Sequence, residues 1–134
     1  MKRFYPLLPV LFLIYWGCED TKKQDNIPTE VTLWGVDYSI ENTTELDLGG
    51  SELTGEIPPG IGNLTNLERL YLHQNQLTGY IPQEIGDLTN LTELDLSNNQ
   101  LTGIIPDEIC NQGDSSPSLS NNQLCPPYPS CIRS

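Results

Sequence analysis

Basic side chains are scarce in this sequence. Its 134 residues include 6 Lys and Arg against 18 Asp and Glu, with a single histidine, so the formal net charge is -12. Proteins that bind nucleic acid or adsorb to anionic membranes by charge depend on many Lys and Arg side chains. The shortage therefore excludes both kinds of electrostatic partner. The length allows one small domain.

Long apolar runs are also missing. A transmembrane helix needs about 20 apolar residues, whereas the longest run here covers residues 4–16 and contains Pro6 and Pro9. It follows Lys2 and Arg3, and this order of a short positive region and a short apolar region is typical of an export signal. We therefore predict a signal peptide over residues 1–17. The charged, polar residues 18–30 predict a flexible tether.

Cysteines are few, and three of the four lie near the C-terminus. The gaps between Cys110, Cys125 and Cys131 lack the close pairs of zinc sites, so we expect no metal. In an exported protein such cysteines form disulfides. We expect a Cys125–Cys131 bond, because a short proline-rich loop joins these residues, with Cys110–Cys125 as the alternative. Either pairing leaves one thiol over, which suggests a partner cysteine beyond Ser134.

An internal repeat of 24 residues occupies most of the chain. Residues 53–67 and 77–91 are identical at 11 of 15 positions. The same offset relates columns of leucine and glycine over residues 43–113, and a degenerate fourth copy falls within residues 114–134, which also hold the C-terminal cysteines. A repeat of this length predicts a solenoid, in which each coil buries its leucines against its neighbours.

Each repeat has two physical signals. The Leu-x-Leu segment alternates apolar and polar residues, which predicts a short strand with its leucines buried on one face. Asn75, Asn99 and Asn122 then share one column, and an amide side chain can bond the backbone groups that a tight turn leaves unpaired. We therefore expect a ladder of asparagines inside the coil.

These motifs resemble the leucine-rich repeat family, in its 24-residue plant-type class with consensus Leu-x-x-Leu-x-Leu-x-x-Asn-x-Leu-x-Gly-x-Ile-Pro. The resemblance implies an α/β-type repeat solenoid: a right-handed coil with a short parallel concave β-sheet and an irregular or 3₁₀ convex side. It also implies an extracellular recognition surface. Residues 31–42 resemble the N-terminal cap of that family without its cysteine, so we expect a hydrophobic lid formed by Trp34 and Val36.

The leader resembles that of a bacterial lipoprotein, because its apolar region ends in Gly17 and Cys18 and a polar tether follows. In that family the peptide is cut before the cysteine, whose sulfur is then acylated. The resemblance implies that Cys18 is lipidated and that the protein is held in the cell envelope or at the cell surface. The alternative is an ordinary secretory signal with Cys18 nearby.

Catalysis finds little support in the sequence. The segment Gly55–Gly60 has the glycine spacing of a phosphate loop but lacks its Lys-Ser/Thr pair, and its prolines remove amide donors. The acidic residues beside the strand leucines could pair as glycosidase acids, but they lie on one flat strand face without a cleft. We expect a protein that is not an enzyme and that uses no cofactor and no metal.

The residues beside the strand leucines form the candidate binding surface on the concave sheet. With neighbouring strands about 4.8 Å apart, Arg69 is expected between Glu45 and Glu93, and Tyr71 between Asp47 and Asp95. One interpretation is a solvated face on which Arg69 relieves repulsion between acids; the other is a binding site, since Tyr and Arg are frequent hot-spot residues. The predicted surface residues are Glu45, Asp47, Arg69, Tyr71, His73, Glu93, Asp95 and Ser97.

The sequence as a whole favours an exported, monomeric recognition module that binds a protein or glycan ligand. Two alternatives remain open. The first alternative is a purely structural or adhesive segment of a longer repeat array. The second is a fragment of a receptor-type ectodomain.

Overall fold

The computed structural model describes residues 27–114 and 116–132. The expected signal peptide, the lipidation site Cys18 and residues 18–26 of the tether lie outside the described residues. Within the described ranges, no helix has both the length and the apolar character needed to cross a membrane.

A β-hairpin opens the fold. Strands β1 (Glu30–Leu33) and β2 (Val36–Ser39) pair antiparallel. Leu33 is fully buried in the core, and three further hairpin residues pack against it: Val31, Trp34 and Tyr38. Val36 is 51% exposed, so the lid expected from Trp34 and Val36 is wrong in that residue. The hairpin covers the first coil mainly with the apolar side chains of β1, the strand that contacts the coil.

Three successive coils contribute the main sheet. Strands β3 (Glu45–Asp47), β5 (Arg69–Tyr71) and β7 (Glu93–Asp95) lie parallel in that order. Their central residues Leu46, Leu70 and Leu94 are paired in register and buried, because residues of a strand alternate between its two faces. The described residues of the fourth coil add no full strand to this sheet, and among them an isolated bridge joins Ser118 to Asp95.

A second set of short parallel strands follows the turns at the ends of the Leu-x-Leu segments. Strand β4 (Thr54–Glu56) pairs with β6 (Gln76–Thr78), and β8 (Thr102–Ile104) pairs with β9 (Gln123–Cys125). The Leu-x-Leu signal predicts the strands of the main sheet and does not predict these.

The described residues form three 3₁₀ helices on the opposite side of the coil from the main sheet: η1 (Pro59–Asn63), η2 (Gln83–Asp87) and η3 (Asp107–Asn111). Each begins after a proline in extended conformation, and each buries one isoleucine: Ile61, Ile85 or Ile109. A Cβ atom placed on Gly86 would lie 2.5 Å from the carbonyl oxygen of Glu108. Glycine is therefore needed there because adjacent 3₁₀ helices approach backbone to backbone.

The hydrophobic core runs along the inside of the coils between the sheets and the 3₁₀ helices. Every residue of the buried hydrophobic core is leucine or isoleucine. Each coil covers the leucines of the next, as expected for a solenoid.

The disulfide differs from the expected pairing. Cys110 at the end of η3 is bonded to Cys131, with Cα atoms 5.6 Å apart, and Cys125 is exposed with a free thiol. The expected Cys125–Cys131 bond and its Cys110–Cys125 alternative are both wrong. Cys125 is the last residue of β9, and strand alternation turns its side chain to solvent while Leu124 faces the core.

Candidate functional site: the outer face of the main sheet

The outer face of the main sheet carries two rows of polar side chains, one on each side of the buried leucines. In the first row Arg69 lies between Glu45 and Glu93 in the strand register. The second row is formed in the same way by Asp47, Tyr71 and Asp95. We call these six residues the outer face.

Arg69 binds one of its two acidic neighbours. Its Nη2 and Nε atoms lie 2.5 and 3.1 Å from Oε2 of Glu45. The hydrogen bond and the charge of Glu45 raise the pKa of Arg69, so the guanidinium stays charged. Both side chains remain more than 40% exposed, so solvent screens the pair and its contribution to stability is small. Glu93, on the other side of Arg69, is left for a different partner.

Tyr71 takes that role by reaching diagonally across the sheet. Its hydroxyl donates a hydrogen bond to Oε2 of Glu93 rather than to the aspartates of its own row. This hydrogen bond is the main cause that raises the pKa of Tyr71, followed by partial burial and the charge of Glu93. The phenol is therefore held as a neutral donor to Glu93.

His73 continues the Tyr71 strand beyond the outer face. Its ring meets that of Tyr71 edge-on, with centroids 6.4 Å apart, and it lies directly over Gly49, where any Cβ atom would overlap the ring. Its Nδ1 atom is 3.9 Å from Oδ2 of Asp95. Gly49 thus provides the space that seats this histidine beside the aromatic ring of Tyr71.

Ser97 does not belong to the accessible surface that we expected. It is only 7% exposed, and its hydroxyl accepts a hydrogen bond from the side-chain amide of Asn98. The chain already turns at this position, because the Ser97 N–H is bonded to Oδ1 of Asp95 at 2.9 Å. Asp47 binds the N–H of Gly49 in the same way at 3.0 Å. Both aspartates are thereby fixed by the turns that follow their strands.

An asparagine ladder supports the outer face from inside. Asn99 donates to the carbonyl oxygens of Leu72 and Leu96, at 2.9 and 3.1 Å, and accepts the N–H of Leu77 at 3.1 Å. Asn75 and Asn122 make the equivalent three bonds one coil earlier and one coil later. Each amide therefore links two consecutive coils immediately after the strands that carry the site.

Asp114 is a site residue that sequence reasoning missed. Its Oδ2 accepts the N–H of Leu94 at 2.8 Å, and its Oδ1 accepts that of Ser116 at the same distance. The side chain thus replaces a fourth strand at the edge of β7. The sequence did contain a signal for this residue, because an acidic side chain occurs at the point where the repeat degenerates. There the backbone N–H groups of β7 need an acceptor other than a regular fourth strand.

The arrangement is suited to binding through hydrogen bonds and charge. Among the described residues, no group of His, Cys, Asp and Glu side chains is arranged to hold a metal ion. The acids of the outer face are each tied to a donor: Glu45 to Arg69, Glu93 to Tyr71, and the two aspartates to turn N–H groups. These bonds fix the surface before a partner arrives, and such preorganisation lowers the entropic cost of binding.

Parallel strands, an asparagine ladder and stacked 3₁₀ helices define a leucine-rich-repeat solenoid. The family model for the leucine rich repeat matches residues 41–101. This part of the chain therefore has the leucine-rich-repeat fold. A search of curated proteins gave no match.

Several solved structures are similar to the chain. The ectodomain of the plant membrane receptor kinase GASSHO1/SCHENGEN3 from Arabidopsis thaliana, in complex with CASPARIAN STRIP INTEGRITY FACTOR 2, is 41% identical with a TM-score of 0.58; the match covers 60% of this chain and 10% of that one. The plant peptide hormone receptor RGFR1 in complex with RGF2 is 41% identical with a TM-score of 0.56, over 60% and 13% of the two chains.

A plant ice-binding protein is also 41% identical, with a TM-score of 0.57, over 60% of this chain and 26% of that one. In all three cases the matched region is about a quarter or less of the known protein. The similarity therefore concerns a run of repeats within larger chains.

Proposed function

We propose that this chain is an exported recognition module of the leucine-rich repeat family, in the 24-residue plant-type class, and that it binds a protein through the outer face of its main sheet. The observation that carries the proposal is the fixed arrangement of Arg69 and Tyr71 at the centre of this face. Tyr and Arg are the residue types most often found at binding hot spots. Two of the similar structures are plant receptors in complex with their named partners, one of them a peptide hormone receptor.

We also infer that the chain is not an enzyme. The outer-face acids already accept hydrogen bonds from Arg69, Tyr71 or the backbone, and both rows lie on a sheet face in register. That pattern suits recognition better than proton transfer. It also favours a protein ligand over a glycan, since the face presents more charge than aromatic surface.

Export and lipid anchoring complete the proposal. The Cys110–Cys131 disulfide is of the kind that persists in oxidising compartments. The order of the leader residues supports acylation of Cys18 in the cell envelope. Metabolic labelling with a palmitate analogue tests this step: we expect label on the wild type and none on Cys18→Ser. A wild type without label would contradict lipidation and favour the alternative, an ordinary secretory signal.

A capture experiment from the native cell envelope tests the binding proposal. The wild type and an Arg69→Ala/Tyr71→Ala variant are used as bait side by side, and we expect the variant to lose the captured protein. The matched control is Tyr80→Ala, which removes an aromatic side chain that is 69% exposed outside the main sheet. Circular dichroism should give all three proteins melting temperatures within about 3 °C. Undiminished capture by the double variant would place the site elsewhere.

A further inference from the structure

A cleft of about 260 Å³ opens beside β7, next to the outer face. It lies where the fourth coil fails to add a strand and Asp114 closes the sheet edge instead. Its volume is below the roughly 300–1,000 Å³ of pockets for drug-sized ligands, which favours a single side chain as occupant. Its polar and aromatic lining includes Tyr71, Glu93, Asp95, Asp114, Ser116 and Ser118.

The negative charge of this cleft is compensated only weakly, with His73 Nδ1 3.9 Å from Oδ2 of Asp95. Its three carboxylates are held by neutral donors: Glu93 by the Tyr71 hydroxyl, Asp95 by a turn N–H, and Asp114 by two backbone N–H groups. The described residues that line the cleft include no Lys or Arg. Arg69, the one Lys or Arg of the described ranges, is bonded to Glu45 on the far strand of the sheet.

We propose that this cleft accepts a lysine or arginine side chain of the protein partner, so that the partner binds through a basic, extended segment laid along the outer face. This inference rests on the proposed function and names the chemistry of its ligand. The free oxygens of Glu93 and Asp95 can accept N–H bonds from an ammonium or guanidinium group, and such charge-assisted bonds are strong. The Tyr71 ring offers a face for cation–π contact.

Complementarity of charge extends beyond the cleft. The described residues contain fifteen Asp and Glu and a single Arg. A field of this sign steers basic segments towards the surface and repels acidic ones. A metal ion is a poorer occupant of the cleft, because both oxygens of Asp114 already accept backbone N–H groups and the described residues form no metal-binding group.

The test uses the full-length protein and two synthetic peptides of equal length, one alternating Lys and Ser and the other alternating Glu and Ser. Binding is measured by calorimetry at low and at physiological salt. The cleft variant is Glu93→Gln/Asp95→Asn, which removes two charges and keeps the shape. Its control is Asp107→Asn/Glu108→Gln, which removes the same charge from η3, on the opposite side of the coil. If the double cleft variant melts early, Asp95→Asn alone replaces it.

We expect the lysine peptide to bind the wild type and the glutamate peptide not to bind. The cleft variant should lose about tenfold in affinity, the effect of one charge-assisted contact, while the control loses no more than about twofold. Tyr71→Phe should retain binding and Tyr71→Ala should weaken it, because the ring provides the contact. Equal losses of affinity in the cleft variant and the control would show that only the net charge of the protein matters, which would overturn the inference.

Two further outcomes separate this inference from the proposed function. If the native partner is lost with Arg69→Ala/Tyr71→Ala but kept with Glu93→Gln/Asp95→Asn, the outer face binds and the cleft inference alone is wrong. If both variants keep the partner, the proposed function fails as well. Calcium that binds the wild type, but not the cleft variant, would make the cleft a metal site and overturn the inference.

Discussion

At the scale of single residues, the asparagine ladder shows how one side chain holds two coils together. Asn99 is 8% exposed and satisfies a backbone N–H and two carbonyl groups that the tight turn leaves without partners. An unpaired polar group in this position would cost more than a hydrogen bond contributes, because it would be cut off from water. The ladder is therefore a requirement of the turn.

Replacing Asn99 by alanine should destabilise the fold by about 2–4 kcal/mol, because it leaves buried donors and acceptors unpaired. Urea unfolding followed by circular dichroism measures the loss. The matched control is Gln100→Ala, whose side chain is exposed and one residue away; its effect should stay within about 0.5 kcal/mol. Equal midpoints for the two variants would contradict a structural role for the amide.

Tyr71 allows a pH prediction, because the hydrogen bond to Glu93 raises its pKa above the ordinary value of 10.0. A raised pKa means that the folded state holds this proton more tightly than the unfolded chain. The stabilisation is complete below the unfolded pKa and is lost as the pH rises through the folded pKa.

An absorbance titration of the phenols measures this shift. Tyr71 should ionise later than exposed tyrosines, and Tyr71→Phe should remove that late step. Glu93→Gln should move the step to lower pH, because it removes both the charged acceptor and its repulsion of the phenolate. A titration that Glu93→Gln leaves unchanged would show that Tyr71 does not bond Glu93 in solution. Circular dichroism at each pH confirms that the protein remains folded.

At the scale of elements, the 24-residue period made part of the fold predictable. Identical offsets in every leucine column require equivalent strands to stack in register, so Arg69 could be placed between Glu45 and Glu93 from the sequence. Strands β4 and β8 could not be foreseen, because three-residue strands built around a glycine have no alternating apolar pattern. Their pairing arises from the stacking of coils.

The details of the site were less predictable than its position. Register shows which residues are neighbours but not which partner a long side chain chooses. Tyr71 bonds the diagonal Glu93, although its direct neighbours are aspartates. Each of those aspartates uses one oxygen to accept an N–H of the turn that follows it, and the register does not predict this bond. Asp114 closes the sheet edge at the point where the fourth coil departs from the repeat. A degenerate copy of the repeat does not predict which of its residues faces β7.

The disulfide joins the last 3₁₀ helix to the C-terminal segment and gives an element-scale prediction. Cys110→Ser/Cys131→Ser should destabilise the protein by about 2–4 kcal/mol, since a cross-link over 21 residues restricts the unfolded chain. Thermal unfolding with and without reductant provides the measurement. Reductant should lower the melting temperature of the wild type and leave the double variant unchanged.

Cys125→Ser is the control for this pair, because the Cys125 thiol is free and exposed. It should change stability by no more than about 0.5 kcal/mol and keep its response to reductant. Alkylation followed by mass spectrometry should label Cys125 and neither Cys110 nor Cys131. If Cys110 were labelled and Cys125 were linked to Cys131, the pairing expected from the sequence would be correct instead.

At the scale of the whole molecule, each end of the solenoid has its own closure. The hairpin buries Leu33 against the first coil, and the disulfide anchors the segment that follows the fourth. Between these ends the coils repeat one set of contacts, so stability is close to a sum over neighbouring coils. Repulsion between acidic side chains opposes this stability, because nearly all charges of the described residues are negative.

Salt should therefore stabilise the whole molecule. With fifteen acids and one Arg in the described residues, self-repulsion opposes the compact state, and the screening length falls from about 30 Å at 0.01 M salt to about 8 Å at 0.15 M. We expect the melting temperature to rise by about 4–8 °C over this range of sodium chloride, which corresponds to about 1 kcal/mol for a domain of this size.

A charge variant decides whether repulsion is the cause. Glu41, Glu68 and Asp87 are exposed, and their side chains take part in no hydrogen bond within the described residues. Changing all three to lysine removes three negative charges and adds three positive ones, which should raise the melting temperature at low salt. It should also flatten the salt dependence, because less repulsion is left to screen. The same slope in the variant and the wild type would assign the salt effect to preferential hydration of the folded state instead of charge.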